Sequence, residues 1–238
     1  MQRSALMMIA NAAGLIAADV TNAALINETF SDSGNFTTSI GQFIQGTDYF
    51  FNSGSTLGFP SDSPTQFTNP DGGFFAAQDL DGPAPLTSTS QTVTFGPIEI
   101  NGIQSLDFAV DIAEDDDFDR EDWDIEDFVR FDLIFDDGPP LEILRVASTE
   151  ESRGGDDFNG YPLAAGIEVT DTFQTFTVTD IPTGGAASVT LVVTIDLGSA
   201  DEDIAFDNVL LIPTPSSAAI AMIAAVTLAR RSRSRRSG

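Results

Sequence analysis

LDFAVDI at residues 106–112 and VRFDLIF at residues 129–135 decide the fold. In the first stretch Leu106, Phe108, Val110 and Ile112 alternate with residues that include Asp107 and Asp111. In the second, Val129, Phe131, Leu133 and Phe135 alternate with residues that include Arg130 and Asp132. Successive side chains of an extended chain point to opposite faces, so a period of two turns one face to an apolar core and the other to water.

Working outward, segments rich in Val, Ile, Thr or Phe and bounded by turn residues recur at 92–100, 141–147, 173–179, 188–197 and 203–212. Shorter candidates lie at 42–51 and 73–78, and the stretch from Ser31 to Pro70 reads as irregular between short strands. No long stretch of the middle carries a helical stripe, and 20 Gly and 12 Pro punctuate the chain. The pattern predicts an all-β fold, a two-sheet antiparallel β-sandwich of roughly eight to ten strands. Its core is expected to be built from the 19 Phe, against one Trp and two Tyr, since alternating Phe in strands is the usual filling of a sandwich.

Charge and composition exclude several kinds of chemistry. The 238 residues carry 37 acidic and 10 basic side chains, a formal net charge of -27. So acidic a surface cannot neutralise phosphates, and a nucleic-acid partner is not expected. The absence of Cys and His removes disulfides, thiol nucleophiles, imidazole bases and ordinary structural zinc sites. The Gly-Gly pairs at 72–73, 154–155 and 184–185 lack the Gly and Lys pattern of a phosphate loop and read as turns.

The two ends differ from the middle. Residues 4–18, SALMMIANAAGLIAA, form an apolar run behind Arg3, with small residues preceding a cleavage site after Ala23; this is the organisation of a secretory signal peptide. Residues 216–229, SSAAIAMIAAVTLA, are apolar and are followed by RRSRSRR at 230–236. Such a run is marginal in length for a span, and its Arg cluster would lie on the cytoplasmic side. From Ala24 to Pro213 the chain carries 36 acidic residues and four Arg, a net of -32, while residues 230–236 supply +5. The expected organisation is therefore a signal peptide at 1–23, one domain at 24–212 and a separate C-terminal segment at 213–238, with a helix expected in each flank.

Pro213-Thr214-Pro215, the apolar run and the Arg cluster (Arg230, Arg231, Arg233, Arg235, Arg236) together resemble the PEP-CTERM sorting signal, with PTP standing where that family usually has PEP. The resemblance implies a protein exported by a Gram-negative bacterium, passing through an inner-membrane intermediate. It further implies recognition by an exosortase-type processing enzyme and a final place at the cell surface or in the exopolysaccharide matrix.

Carboxylates are the chemical signal of the middle. Fourteen of the 27 residues from Asp111 to Asp137 are acidic. Like charges so crowded repel and raise one another's pKa, a cost that a hard cation with several oxygen ligands relieves. Calcium is the expected ion. Asp115, Asp117 and Asp119 have the alternation of an EF-hand loop, but Arg120 stands where that loop needs Gly, so calcium held by a loop other than an EF-hand is the alternative to a simply solvated loop. A second constellation comprises Glu28 at the first expected strand, Asp79 and Asp81 in a polar turn, and Asp207 inside an apolar strand. If the first and last strands are neighbours, Glu28 and Asp207 could share one cation; alternatively, Asp207 accepts backbone hydrogen bonds or caps a bulge.

ETFSD (28–32), FFAAQDLDG (74–82), the acidic run around Trp123, DTFQTFTVT (171–179) and SADEDIAFDNVLL (199–211) together look like a recurrent bacterial extracellular jelly-roll domain. A more distant likeness is to jelly-roll carbohydrate-binding modules with a structural calcium near the terminal strands, which implies Glu28 and Asp207 as ligands. Three functions are carried forward from this. One is an exported, non-catalytic, calcium-stabilised surface or matrix protein. Another is an exopolysaccharide-binding module using exposed Trp123, Tyr49 or Tyr161. The last is a glycoside hydrolase with paired carboxylates, which needs two carboxyl groups about 5–9.5 Å apart across a cleft.

Overall fold

In the computed structural model the alternating stretches become long strands. It describes residues 23–32, 34–46, 48–54, 67, 72–80, 88–114, 123, 126–148, 162–198 and 202–214. The helices expected in the two flanks lie outside these residues. Among the described residues no helix is long and apolar enough to cross a membrane.

The strands are β1 (Ile26–Glu28), β2 (Phe36–Thr38), β3 (Phe43–Gln45), β4 (Asp48–Asn52), β5 (Phe75–Gln78), β6 (Ser90–Glu99) and β7 (Ser105–Ala113). They continue with β8 (Phe128–Phe135), β9 (Pro140–Ala147), β10 (Leu163–Ala164), β11 (Ile167–Glu168), β12 (Gln174–Pro182), β13 (Ser188–Asp196) and β14 (Asp203–Pro213). One sheet has the order β12-β7-β14-β5-β4-β3, with β1 also paired to β14; the other has the order β11-β10-β9-β8-β13-β6-β2. Every strand pairing among the described residues is antiparallel. The expected two-sheet antiparallel sandwich of jelly-roll-like kind is therefore observed.

Fourteen strands stand among the described residues where eight to ten were expected. The additional ones are short. β2, β10 and β11 hold two or three residues each, too few for alternation to register; β2 and β10 pair with the edges of the longer β6 and β9, and β11 folds back on β10. Glu28 ends β1 rather than beginning it, and the last strand runs to Pro213, one residue past the expected domain boundary.

The inward faces meet in one main core. Leu106, Phe108, Val110 and Ile112 of β7 face Val129, Phe131 and Leu133 of β8 and Val189, Leu191, Val193 and Ile195 of β13. Phe30 lies at the centre of an aromatic group, with ring centroids 5.4 Å from Phe36, 5.9 Å from Phe75, 6.4 Å from Phe95 and 5.4 Å from Phe206. Most of these contacts are edge-on or tilted, the arrangements ring quadrupoles favour, and each buried Phe contributes about 1.5–3 kcal/mol by loss of apolar surface.

Phe30 takes a positive φ of 50°, and its carbonyl is pressed by two glycines. A Cβ on Gly54 or on Gly73 would stand 2.0 Å from the Phe30 oxygen. These two positions must be Gly because the backbone itself fills the place of a side chain.

Candidate functional site

The sheet containing β14 has a second, outward face, and the register lays its side chains out in rows. Tyr49, Gln78 and Asp203 are successive cross-strand partners on β4, β5 and β14. Phe51, Ala76, Ala205 and Ala113 form the next row, and Asp207, Asp111 and Thr175 a further one. Tyr49, Phe51, Ala76 and Ala205 make a second, smaller apolar cluster with Phe67, Phe74 and Phe173 packed against it. Tyr49, expected as an exposed aromatic for sugar contact, is instead fully buried, and Gln78, Asp203 and Asp207 are 1, 5 and 3 % exposed. This face is thus a covered polar and aromatic layer rather than an open solvated one.

Asp207 is held by its own strand and its neighbour. A bulge falls between Asp207 and Leu210 in the pairing of β14 with β7, and Asn208 takes a φ of 50° there, a conformation its short amide side chain tolerates. The Asn208 backbone N–H donates to Asp207 Oδ1 at 2.6 Å, and its side-chain amide donates to Asp111 Oδ2 at 2.7 Å. The Thr175 hydroxyl completes the group by donating to Asp111 Oδ1. Asp207 thus accepts a backbone hydrogen bond at a bulge, while its carboxylate stands opposite that of Asp111.

Glu28 sits elsewhere. It pairs with Val209, a core residue on the face turned toward the other sheet, whereas Asp207 lies on the opposite face with Asp111. The bulge after Asp207 separates the two: neighbouring strands do not make neighbouring side chains when the faces differ. The structure does not bring Glu28 and Asp207 together about one cation. Glu28 instead closes the following turn, Oε1 accepting the Phe30 N–H at 2.9 Å and Oε2 the Asn35 N–H at 3.0 Å. It also lines a cavity of about 360 Å³ at the seam of the sheets, with Leu25, Asn35, Phe95 and Pro97.

Asp79 follows β5 with a φ of 43°, and the next residue, Leu80, is buried and donates its N–H to the Leu197 carbonyl at 3.0 Å. Trp123, expected as an exposed aromatic at a ligand surface, is 2 % exposed and belongs to the main core. An indole so enclosed offers no open ring to a sugar. Asp81, Asp115, Asp117, Asp119, Tyr161, Pro215, Arg230, Arg231, Arg233, Arg235 and Arg236 lie outside the described residues. Among the described residues no three acidic side chains converge as a metal set.

Pro213 and Thr214 are built into the sheet. Pro213 pairs with Leu106, the Thr214 N–H donates to the Ser105 carbonyl at 2.9 Å, and its hydroxyl donates to Asp107 Oδ1 at 2.7 Å. Asp107, Asp111 and Thr175 carried no site expectation in the sequence. Alternation placed the two aspartates on the polar face of their strand, but only the pairing of β7 with β14 and β12 discloses what they meet.

Asp136, in the turn between β8 and β9, is another unforeseen carboxylate. The backbone N–H groups of Ser188 and Ala187 hold its carboxyl below the usual range. On the outer face of the second sheet, Arg130 Nε meets Asp132 Oδ2 at 2.7 Å, and the Arg145 guanidinium lies over Phe128 at 4.2 Å.

No protein-family model matches the chain, and no curated relative matches its sequence. Among solved structures it is similar to a cleaved adhesin domain of Lys-gingipain from Porphyromonas gingivalis, at 12% identity and a TM-score of 0.45 over 80% of this chain and 99% of that one. It is likewise similar to a Stig cyclase from Fischerella sp. TAU (12% identity, TM-score 0.42, 77% and 86% covered). A xylan-binding module shows a comparable likeness (12% identity, TM-score 0.41, 82% and 99% covered). An adhesin, a cyclase and a polysaccharide-binding module stand side by side here, and no residue role is carried over from any of them.

Proposed function

We infer that this chain is an exported, non-catalytic cell-surface or extracellular-matrix protein of a Gram-negative bacterium. In this reading a calcium-stabilised jelly-roll-like sandwich is carried between a signal peptide and a C-terminal segment sorted by an exosortase-type enzyme. The observation that carries it is the coincidence of two boundaries. The sheets begin at Leu25, whose N–H donates to the Leu211 carbonyl at 2.8 Å, and end at Thr214 on Ser105; the apolar flanks adjoin these residues in sequence. The crowding of carboxylates from Asp111 to Asp137 supports the calcium part.

Expression in a host with an exosortase system, followed by mass spectrometry of the mature chain, tests sorting. Cleavage after Ala23 and processing close to Pro213-Thr214-Pro215 are expected, and an unprocessed C-terminus retained in the cytoplasm overturns the reading. Calorimetry with calcium and with magnesium, paired with melts after chelation, tests the ion. Calcium binding with a raised melting temperature is expected from linkage, and no heat and no shift overturn it.

A further inference from the structure

β1 belongs to one sheet and β6 to the other, and both line the cavity of about 360 Å³ at the seam. Its origin is local. β2 pairs with β6 only as far as Phe95, and between Leu191 and Val189 of β13 the partner on β6 advances from Phe95 to Ile98. Gly96 and Pro97 therefore form a bulge that bends the strand. Gly96 has a φ of 105°, and a Cβ there would stand 3.1 Å from the Ile98 nitrogen and the Val189 oxygen, so the bulge requires glycine. Of the residues around the cavity, Glu28 and Phe95 are buried and form its floor, while Asn27, Asn35 and Pro97 are exposed and form its rim.

The Glu28 carboxylate is 6 % exposed. Its two oxygens accept one backbone N–H each, from Phe30 and Asn35, which fills two of the roughly four acceptor positions of a carboxylate. Asn35 itself lines the cavity, so this side of the carboxylate adjoins it. Burial of a carboxylate is costly unless hydrogen bonds and a cation compensate it. The chain supplies the hydrogen bonds, but among the described residues the Arg side chains pair elsewhere, Arg130 with Asp132 and Arg145 with Glu142. A calcium ion takes six to eight oxygen ligands, and the apolar wall of Phe95, Pro97 and Ile98 does not offer them. We propose that this cavity binds a small organic cation, a protonated primary amine on a short apolar chain. The ammonium donates to Glu28, a charge-assisted hydrogen bond, and the methylenes lie against Phe95, Pro97 and Ile98. The volume falls in the range of about 300–1,000 Å³ usual for small-molecule sites. The net charge of -32 between Ala24 and Pro213 concentrates cations near the domain.

The full chain is titrated with n-butylammonium chloride at physiological salt, with 1-butanol as the uncharged probe of the same shape, and binding is read by saturation-transfer NMR of the probe. Butylammonium is expected to bind at least about tenfold more tightly than butanol, the worth of one hydrogen bond to a charged group. Glu28→Gln is expected to bring the two probes level, because it removes the charge and keeps an acceptor for the turn. Asn27→Trp, at an exposed position on the rim, narrows the cavity without removing a core contact and is expected to weaken binding of both probes with the melting temperature kept. Equal binding of the two probes by the native chain overturns the proposal. So does amine binding that survives Asn27→Trp unchanged, which would be diffuse attraction to the acidic surface. Stoichiometric displacement of the amine by calcium chloride at constant ionic strength, with sodium chloride failing to displace it, means a metal site and overturns it as well. Should Glu28→Gln lower the melting temperature, Asn27→Trp and the comparison of probes decide.

Discussion

Asp111 and Asp207 stand directly opposite one another on β7 and β14, and Asn208 ties them together, its side-chain amide on Asp111 and its backbone N–H on Asp207. Like charges directly opposite in a ladder are destabilising, so the donors of this one residue offset a repulsion that strand pairing imposes. Asn208→Ala removes the side-chain donor and puts an alanine at a positive φ. A loss of about 1–3 kcal/mol is expected from the charged hydrogen bond, read as a lowered midpoint in urea. Asn208→Gly, which keeps the backbone conformation at ease, loses less.

Gly54 and Gly73 press on the same carbonyl, that of Phe30. Gly73→Ala or Gly54→Ala must displace the turn at the centre of the aromatic group, and a loss on the order of 3 kcal/mol or more is expected. Gly41, around which nothing lies within 4 Å of an added Cβ, is the control: Gly41→Ala leaves the melting temperature nearly unchanged.

Trp123 is the chain's single Trp and is buried in the main core. Its fluorescence is expected to be blue-shifted in the native protein and to move to the red in one step with unfolding. Trp123→Ala costs about 3–5 kcal/mol, while oligosaccharides leave the native emission unchanged. A quenching titration by sugar would mean that the ring reaches a ligand.

Asp136 sets one contribution to acid stability. Its folded pKa is lowered by the Ser188 and Ala187 N–H groups, so its contribution is fully present above the unfolded value of about 3.9. It is lost as pH falls through the lower folded value. Asp136→Asn is expected to reduce stability at neutral pH and to flatten the acid limb of a melting-temperature profile. Asn suits the position because Asp136 has a φ of 47°.

Much of this architecture can be read along the chain. β7 and β13 alternate over eight or more residues, long enough for period two to be unmistakable. The β10–β11 hairpin, Leu163-Ala164 with Ile167-Glu168, is too short to alternate and exists because β9 offers it an edge. Trp123 shows the converse. Its acidic neighbours in sequence suggest a surface, yet the large indole is taken into the core, where its apolar area is removed from water.

The sequence by itself determined what depends on local geometry: extended strands, the apolar face of each, the two apolar flanks and the sign of the charge. An extended backbone turns alternate side chains to opposite faces whatever it pairs with, so this information is complete within each segment. Which strands adjoin was decided by the tertiary structure, since pairing joins residues far apart in the chain. That is why β14 meets β1, β5 and β7 together, and why Asp207 finds Asp111 and not Glu28. The bulge after Asp207 turns the later residues of β14 over, so that Val209 beside Glu28 faces the core while Asp207 faces outward. No periodicity within either segment carries that turn.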